Sequence, residues 1–196
     1  MPAIDTFAPM PALEMLKLML SLASDWRTSR RGGSLTIMVV DVRRAHWNAD
    51  ARRVIYIQLP DEDYEEGMCG LARKALYGFL DAASCWNEEV GLMLAENGFN
   101  VGEANPALFL HEAEDVIGLV HGDDFVTLAD DRGQDFFEEC LTKRFQYSKK
   151  GRLGPRSTDS REIKVPNRYM RWPVEGDPVE ALSALLERGT TVGAKV

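Results

Sequence analysis

Residues 116–128 read Val116-Ile117-Gly118-Leu119-Val120-His121-Gly122-Asp123-Asp124-Phe125-Val126-Thr127-Leu128, two apolar runs joined by Gly-Asp-Asp. Runs of this kind flanking Gly122-Asp123 predict a β-hairpin, because glycine and aspartate tolerate the positive φ that tight hairpin turns use. The hairpin tip then carries two adjacent carboxylates. Taken alone, Asp-Asp at a turn is ordinary solvated-turn composition. A second segment changes its weight: Leu35-Thr36-Ile37-Met38-Val39-Val40-Asp41 is a buried-strand pattern ending in an aspartate. A carboxylate there is held by rigid backbone and can meet the hairpin tip with little loss of side-chain freedom. Two fixed carboxylates joined by a third supply the oxygen donors that a pair of Mg²⁺ ions needs for phosphoryl transfer.

With 196 residues, 45% of them hydrophobic, the chain can bury a core of its own and suits one domain, with or without a small appendage. No apolar run reaches the roughly 18 to 20 residues of a membrane span, and the start lacks the basic-then-apolar order of a signal peptide. The expected setting is intracellular and cytoplasmic, with no membrane partner. Cys69, Cys85 and Cys140 are isolated and odd in number, which suggests neither a disulfide framework nor a zinc site. A net charge of -8 speaks against a simple nucleic-acid binder, whose surface is usually basic. Positive charge is nonetheless clustered in Arg30-Arg31, Arg43-Arg44, Arg52-Arg53 and from Lys143 to Arg156. Solvated faces and loops are the plain account of each pair.

The leucines and methionines between Pro9 and Ser24 predict a mostly buried helix, with Lys17 the one cation in its middle. The strand ending at Asp41 follows, then a second strand, Val54 to Leu59, closed by Pro60, and an acidic loop from Asp61 to Glu66. A helix is expected from an Asp81 cap, with Trp86, Val90, Met93 and Leu94 on one face and a stop at Asn97-Gly98. Leu108 to Leu110 and the hairpin supply strands, and Phe136, Phe137, Cys140 and Leu141 mark another helix. A last strand is expected near Arg161 to Val165. This is the βαββαβ order of a split sheet with one open face, an α+β class. Lys149 to Ser160 reads as a loop or linker, and Pro178 to Arg188 as a terminal helix ended by Gly189. There is no internal repeat.

From about Asp5 to Trp172 the chain resembles the reverse transcriptase region of Ty1/copia-type LTR retrotransposon polyproteins. Asp5-Thr6-Phe7-Ala8-Pro9 is similar to that family's "TFAPV" entry, and Asp41-Val42-Arg43-Arg44-Ala45-His46-Trp47-Asn48 to its "DVKTAFLN". Ile55 to Pro60 resembles "IYMEQP", Leu76-Tyr77-Gly78 with Trp86 resembles "LYGLKQSPRQW", and Gly98-Phe99 through Pro106 resembles "GFxxxxxDP". The Gly-Asp-Asp hairpin stands where the family has "YVDD", and Gly151 to Pro155 is similar to a segment ending in "LGP".

The resemblance implies a right-hand polymerase palm built on a ferredoxin-like βαββαβ core, with partial fingers. Residues 1–34 would be a fingers-like helical entry, 35–172 the palm and fingers core, and 173–196 a C-terminal helix and tail of undefined role. It implies RNA-directed DNA synthesis, with Asp41, Asp123 and Asp124 as catalytic carboxylates. Together with the backbone of Val42 they would bind two Mg²⁺ ions, or Mn²⁺ in their place. The implied partners are an RNA or DNA template with its primer, and deoxynucleoside triphosphates. Lys17 falls at the family's helix arginine and would keep a cation for the triphosphate, without arginine's bidentate fork. Arg44 and Ala45 would present backbone to the triphosphate, and Tyr77 and Gly78 would form the floor under the nucleotide and template base. As plain sequence, Lys17 is equally a lysine snorkelling from a buried helix, and Tyr-Gly before a helix is equally a turn.

Three departures bear on activity. His46 replaces the bulky aromatic expected to exclude a ribose 2′-hydroxyl, His121 replaces the tyrosine of "YVDD", and Phe79 to Ala83 replaces "LKQSP". The family's polyprotein also carries protease, integrase and RNase H, which this sequence does not match, and a thumb is missing or reduced to the last helix. The chain is therefore expected to be a truncated reading frame, associated in its family with virus-like particles. Two alternatives stay open: a catalytically silent nucleic-acid-binding or interaction remnant, and a chain that needs its polyprotein partners to fold.

Overall fold

The computed structural model describes residues 6–9, 11, 13–26, 28–165 and 168–172. Asp5 of the entry segment and the expected terminal helix from Pro178 to Arg188 lie outside them. Along the chain come α1 (Leu13–Trp26), β1 (Thr36–Val42), α2 (Ala45–Asn48), β2 (Tyr56–Ile57) and β3 (Gly70–Leu71). Next are α3 (Ala82–Glu96), β4 (Asn100–Val101), β5 (Leu108–His111) and the hairpin strands β6 (Val116–His121) and β7 (Asp124–Ala129). The described part ends with α4 (Asp131–Thr142), β8 (Tyr147–Leu153), β9 (Glu162–Val165) and β10 (Arg168–Arg171). Among the described residues the fold is thus mixed, four α-helices with an antiparallel sheet of six strands in the order β4-β5-β6-β7-β1-β8. No helix among the described residues is long and apolar enough to cross a membrane.

Strands β1 and β7 are continuous apolar runs because both of their faces are covered. On one face Met38, Val40, Val42 and Phe125 pack against Trp86, Val90 and Met93 of α3 and Phe137, Cys140 and Leu141 of α4. On the other, Ile37, Val39, Val126 and Leu128 meet Met19, Leu20 and Ala23 of α1, with Ile163 and Met170 of the β9–β10 pair. The face expected to be open is therefore covered along its apolar positions. It keeps solvent exposure where the residues become polar, at His121, Asp41 and Ser148.

The helices follow from ordinary end signals. Asp130 caps α4 by accepting from the Gly133 amide at 3.0 Å, which satisfies one of the free N–H groups of the first turn. α3 ends before Gly98, whose φ of +78° suits the left-handed turn that stops a helix. Asp81 precedes α3 as expected, but makes no side-chain cap: its carboxylate is drawn instead to Arg53, at 2.7 and 2.9 Å. Gly118 in β6 is required by packing, since a Cβ there would come within 2.1 Å of the Phe109 ring on β5.

Two strand assignments change. The predicted linker from Lys149 to Ser160 contains most of β8, which pairs antiparallel with β1, whereas the expected last strand is β9, paired only with β10. Ser148-Lys149-Lys150-Gly151-Arg152 looks unlike a strand because β8 is a sheet edge. Charge on such an edge guards against pairing with other chains. The predicted strand Val54 to Leu59 is reduced to Tyr56–Ile57, paired with Gly70–Leu71 in a separate two-stranded ladder.

Candidate metal centre

One row of residues crosses the sheet at the polar end of the second face. His121 of β6 stands opposite Asp124 of β7, Asp124 opposite Asp41 of β1, and Asp41 opposite Ser148 of β8. Asp123 sits in the two-residue turn between His121 and Asp124. One carboxylate oxygen each from Asp41, Asp123 and Asp124 lie within 4.8 Å of one another. The three are not equivalent: Asp123 is exposed, Asp41 half-buried and Asp124 only 1% exposed. Burial pushes the Asp124 carboxyl above its ordinary value, Lys150 counters, and the charges of Asp123 and Asp41 add to the rise.

The turn is fixed by its own backbone conformation and by two anchors. Gly122 has φ +64° and Asp123 does not share the positive φ, so of the two residues only the glycine uses the left-handed region. A glycine first in a two-residue loop is the pattern of a type II′ hairpin turn. The Trp86 indole Nε1 donates to the Gly122 carbonyl at 2.8 Å, and the Val42 amide donates to the Asp123 carbonyl at 2.8 Å. Helix α3 and the end of β1 therefore hold the hairpin tip beside Asp41.

Two polar side chains join the carboxylates from β8. Ser148 Oγ donates to Asp41 Oδ2 at 3.3 Å. Lys150 Nζ lies 2.5 Å from Asp124 Oδ1 and 3.9 Å from Asp41 Oδ1. A β-bulge makes this contact: β1 pairs Val39 with Gly151 and Val40 with Lys149, leaving Lys150 as the extra residue. Lys149 reaches Glu138 of α4, while Lys150 reaches the aspartates. Sequence reasoning missed Ser148, Lys150 and the indole of Trp86 as parts of this site. A glycine inside a basic, strand-length run was the one signal of the bulge.

The other candidate residues divide into two groups. The turn after β1 brings Arg44, Ala45 and His46 close to Asp41 in the chain, and His46 meets Tyr77 with ring centroids 4.3 Å apart. Arg44 adopts φ 53°, ψ 46°, a left-handed conformation uncommon outside glycine. Its guanidinium carbon stands 5.8 Å from the centre of the Trp47 ring. Ala45 is buried in the core. Burial lowers the His46 imidazole below its ordinary value despite the opposing charge of Asp123, which favours the neutral ring. Its Nδ1 is buried without a hydrogen-bond partner. Tyr77 is exposed and Gly78 has φ +96°. Lys17 is exposed on α1, and no hydrogen bond or ion pair among the described residues links it to the aspartates.

The donor set is all carboxylate oxygen, the ligand type of hard divalent cations such as Mg²⁺ and Mn²⁺ rather than of zinc or copper. The cluster already holds a cationic group, the Lys150 ammonium, on Asp124. Both observations fit a cation site. Residues 3–155 match the family described as reverse transcriptase (RNA-dependent DNA polymerase). The matched span contains β1, the hairpin with its aspartates, Tyr77-Gly78 and β8, and stops before β9. The chain therefore belongs to the reverse transcriptase family of the Ty1/copia type.

Proposed function

We propose that this chain is the palm, with partial fingers, of an RNA-directed DNA polymerase, and that Asp41, Asp123 and Asp124 are its catalytic carboxylates. The observation that carries the reading is the approach of three carboxylates from β1 and the hairpin to within 4.8 Å. The strand order β6-β7-β1-β8, with α3 and α4 on one face, supports the ferredoxin-like palm. In this reading residues 1–34 form the fingers-like entry and 35–172 the palm and fingers core, while 173–196 have no assigned role. The first division is one of role only, because α1 shares a hydrophobic cluster with β1 and β7.

The three aspartates, with the Val42 carbonyl, are the groups that would hold two Mg²⁺ or Mn²⁺ ions. Bound there, such ions would lower the pKa of a primer 3′-hydroxyl and offset the charge of the triphosphate and pyrophosphate. The protein's own part is positioning, since in-line attack depends on holding the reacting groups in place. Arg44 and the Ala45 backbone are the triphosphate contacts, with Lys17 a further cation from α1. His46 packs on Tyr77 and faces the sugar, and Tyr77 with Gly78 underlies the nucleotide and template base. The partners are an RNA or DNA template with primer, and deoxynucleoside triphosphates.

A second reading, a silent nucleic-acid-binding remnant, is favoured by one observation: the Lys150 ammonium is already paired with the buried Asp124. Primer extension on an RNA template with Mg²⁺ or Mn²⁺ separates the two, with Asp123→Asn as the control. Extension abolished by the substitution is the expected result. A folded protein that binds primer-template in a salt-dependent way yet extends nothing supports the remnant instead.

A further inference from the structure

We infer that Lys150 is a tethered counter-ion that occupies the aspartate site in the metal-free protein and must be displaced before a divalent cation can bind. The inference rests on the metal-centre reading above and adds to it a residue that works against the metal.

The geometry is specific. In a regular strand, Lys150 would take a place in the ladder and its neighbours would shift by one. The bulge between the Val39 and Val40 pairings removes it from the ladder. Lys149 can then serve Glu138 on the helix side while Lys150 serves Asp124 and Asp41 on the other. Asp124 is almost fully buried, so an unneutralised carboxylate there is costly, and Lys150 supplies the cationic partner among the described residues. Asp41 stands directly opposite Asp124 in the ladder and adds like charge, which increases the need for a cation.

The contact is also reversible. About a third of the Lys150 side chain is exposed, against 2% of the Asp124 side chain. Its four-carbon stem can carry the ammonium back into water by rotamer change alone, with the strand unmoved. A divalent ion offers the carboxylates more charge and several ligand positions, so it can win this competition, but it binds only to the fraction of molecules from which the ammonium has withdrawn. Apparent metal affinity is lowered by that fraction.

The test uses the full chain without nucleic acid. Mn²⁺ binding is measured calorimetrically for the wild type, Lys150→Met, Lys150→Gln and Asp124→Asn. Both lysine variants are expected to bind Mn²⁺ at least about tenfold tighter than the wild type, the equivalent of one charge-assisted hydrogen bond. Equal or weaker binding by folded Lys150 variants overturns the inference. Should neither variant fold, the wild type itself is titrated with Mg²⁺ while the Lys150 side-chain ¹⁵N resonance is followed. The signal of the hydrogen-bonded ammonium is expected to disappear in step with metal binding, and a signal unchanged at metal saturation overturns the inference. Binding that Asp124→Asn abolishes, yet equal in wild type and lysine variants, removes the role of Lys150 and leaves the metal centre standing. Absence of any Asp124-dependent binding removes both.

Discussion

Asp41 and Asp124 stand directly opposite each other on adjacent antiparallel strands, so the ladder carries a like-charge pair at its polar end. Burial raises the Asp124 pKa, Lys150 lowers it, and Asp123 and Asp41 raise it further; the net shift is upward. A carboxyl whose folded pKa lies above its unfolded value favours folding when protonated. That contribution is complete below the unfolded pKa and lost as pH rises through the folded one. Metal binding needs the ionised form. Mn²⁺ affinity is therefore expected to fall on acidification at a pH above the ordinary aspartate range, which titrations between about pH 4 and 7 will register. In metal-free melts, Asp124→Asn gains on the wild type as pH rises. A wild-type affinity flat down to the ordinary aspartate pKa contradicts this account.

How much of this was legible follows from where each residue sits. Helices α3 and α4 were readable because burial on one face leaves a period in the sequence, and β1 and the hairpin because burial on both faces leaves short continuous apolar runs bounded by turn signals. The sequence placed Asp41 and the hairpin aspartates on rigid strands that could meet, but the register that sets Asp41 opposite Asp124 was not legible in it. β8 was not legible either, since an edge strand bearing Ser148, Lys149, Lys150 and Arg152 has no apolar alternation and a bulge at Lys150. The Asp81 cap failed for a related reason. A local capping rule lost to a long-range ion pair with Arg53, which no local pattern announces.

The Trp86 indole is the link between α3 and the hairpin turn that carries Asp123. Trp86→Phe keeps an aromatic ring near Phe145, whose centroid lies 5.0 Å away, and removes only the bond to the Gly122 carbonyl. A loss of about 1–3 kcal/mol of stability is expected in urea denaturation. Mn²⁺ affinity falls with it, because the turn that carries Asp123 loses an anchor. Lower stability with unchanged Mn²⁺ affinity would show that the indole serves folding alone.

Gly118 leaves room for Phe109. Gly118→Ala puts a methyl group into that ring and is expected to destabilise the protein by about 1–3 kcal/mol. Phe109→Leu in the same chain relieves the overlap, so the double variant loses less than the sum of the single losses. An additive cycle in denaturant melts argues that the clash is relaxed elsewhere.

Asp130 is an acid-sensitive support for the start of β1. Burial pushes its carboxyl up, but bonds from Arg31, Ser29 and the Gly133 amide together outweigh this and hold it below the ordinary value. Ser29 Oγ donates at 2.6 Å and Arg31 Nη2 at 3.0 Å. A depressed folded pKa contributes stability that is present above the unfolded value and lost as pH falls through the folded one. Asp130→Ala is thus expected to cost about 2 kcal/mol near neutrality, with loss of the helix cap included. The gap between variant and wild type should narrow below about pH 4. Melts showing the same gap at both pH values reject the assignment.

His46 packs on Tyr77, half-buried, with burial favouring its neutral form and its Nδ1 unpaired. In the proposed nucleotide site it stands where the family has a larger aromatic, so the pocket beside the sugar is wider than a phenylalanine would leave it. His46→Phe fills that space and removes an unsatisfied buried nitrogen, a change that replaces a polar group by an apolar one and need not cost stability. The ratio of deoxynucleotide to ribonucleotide incorporation, read from primer extension with each triphosphate set, is expected to rise in the variant. A ratio that does not change places the sugar elsewhere, because a side chain that bounds the 2′-position cannot grow without affecting that choice.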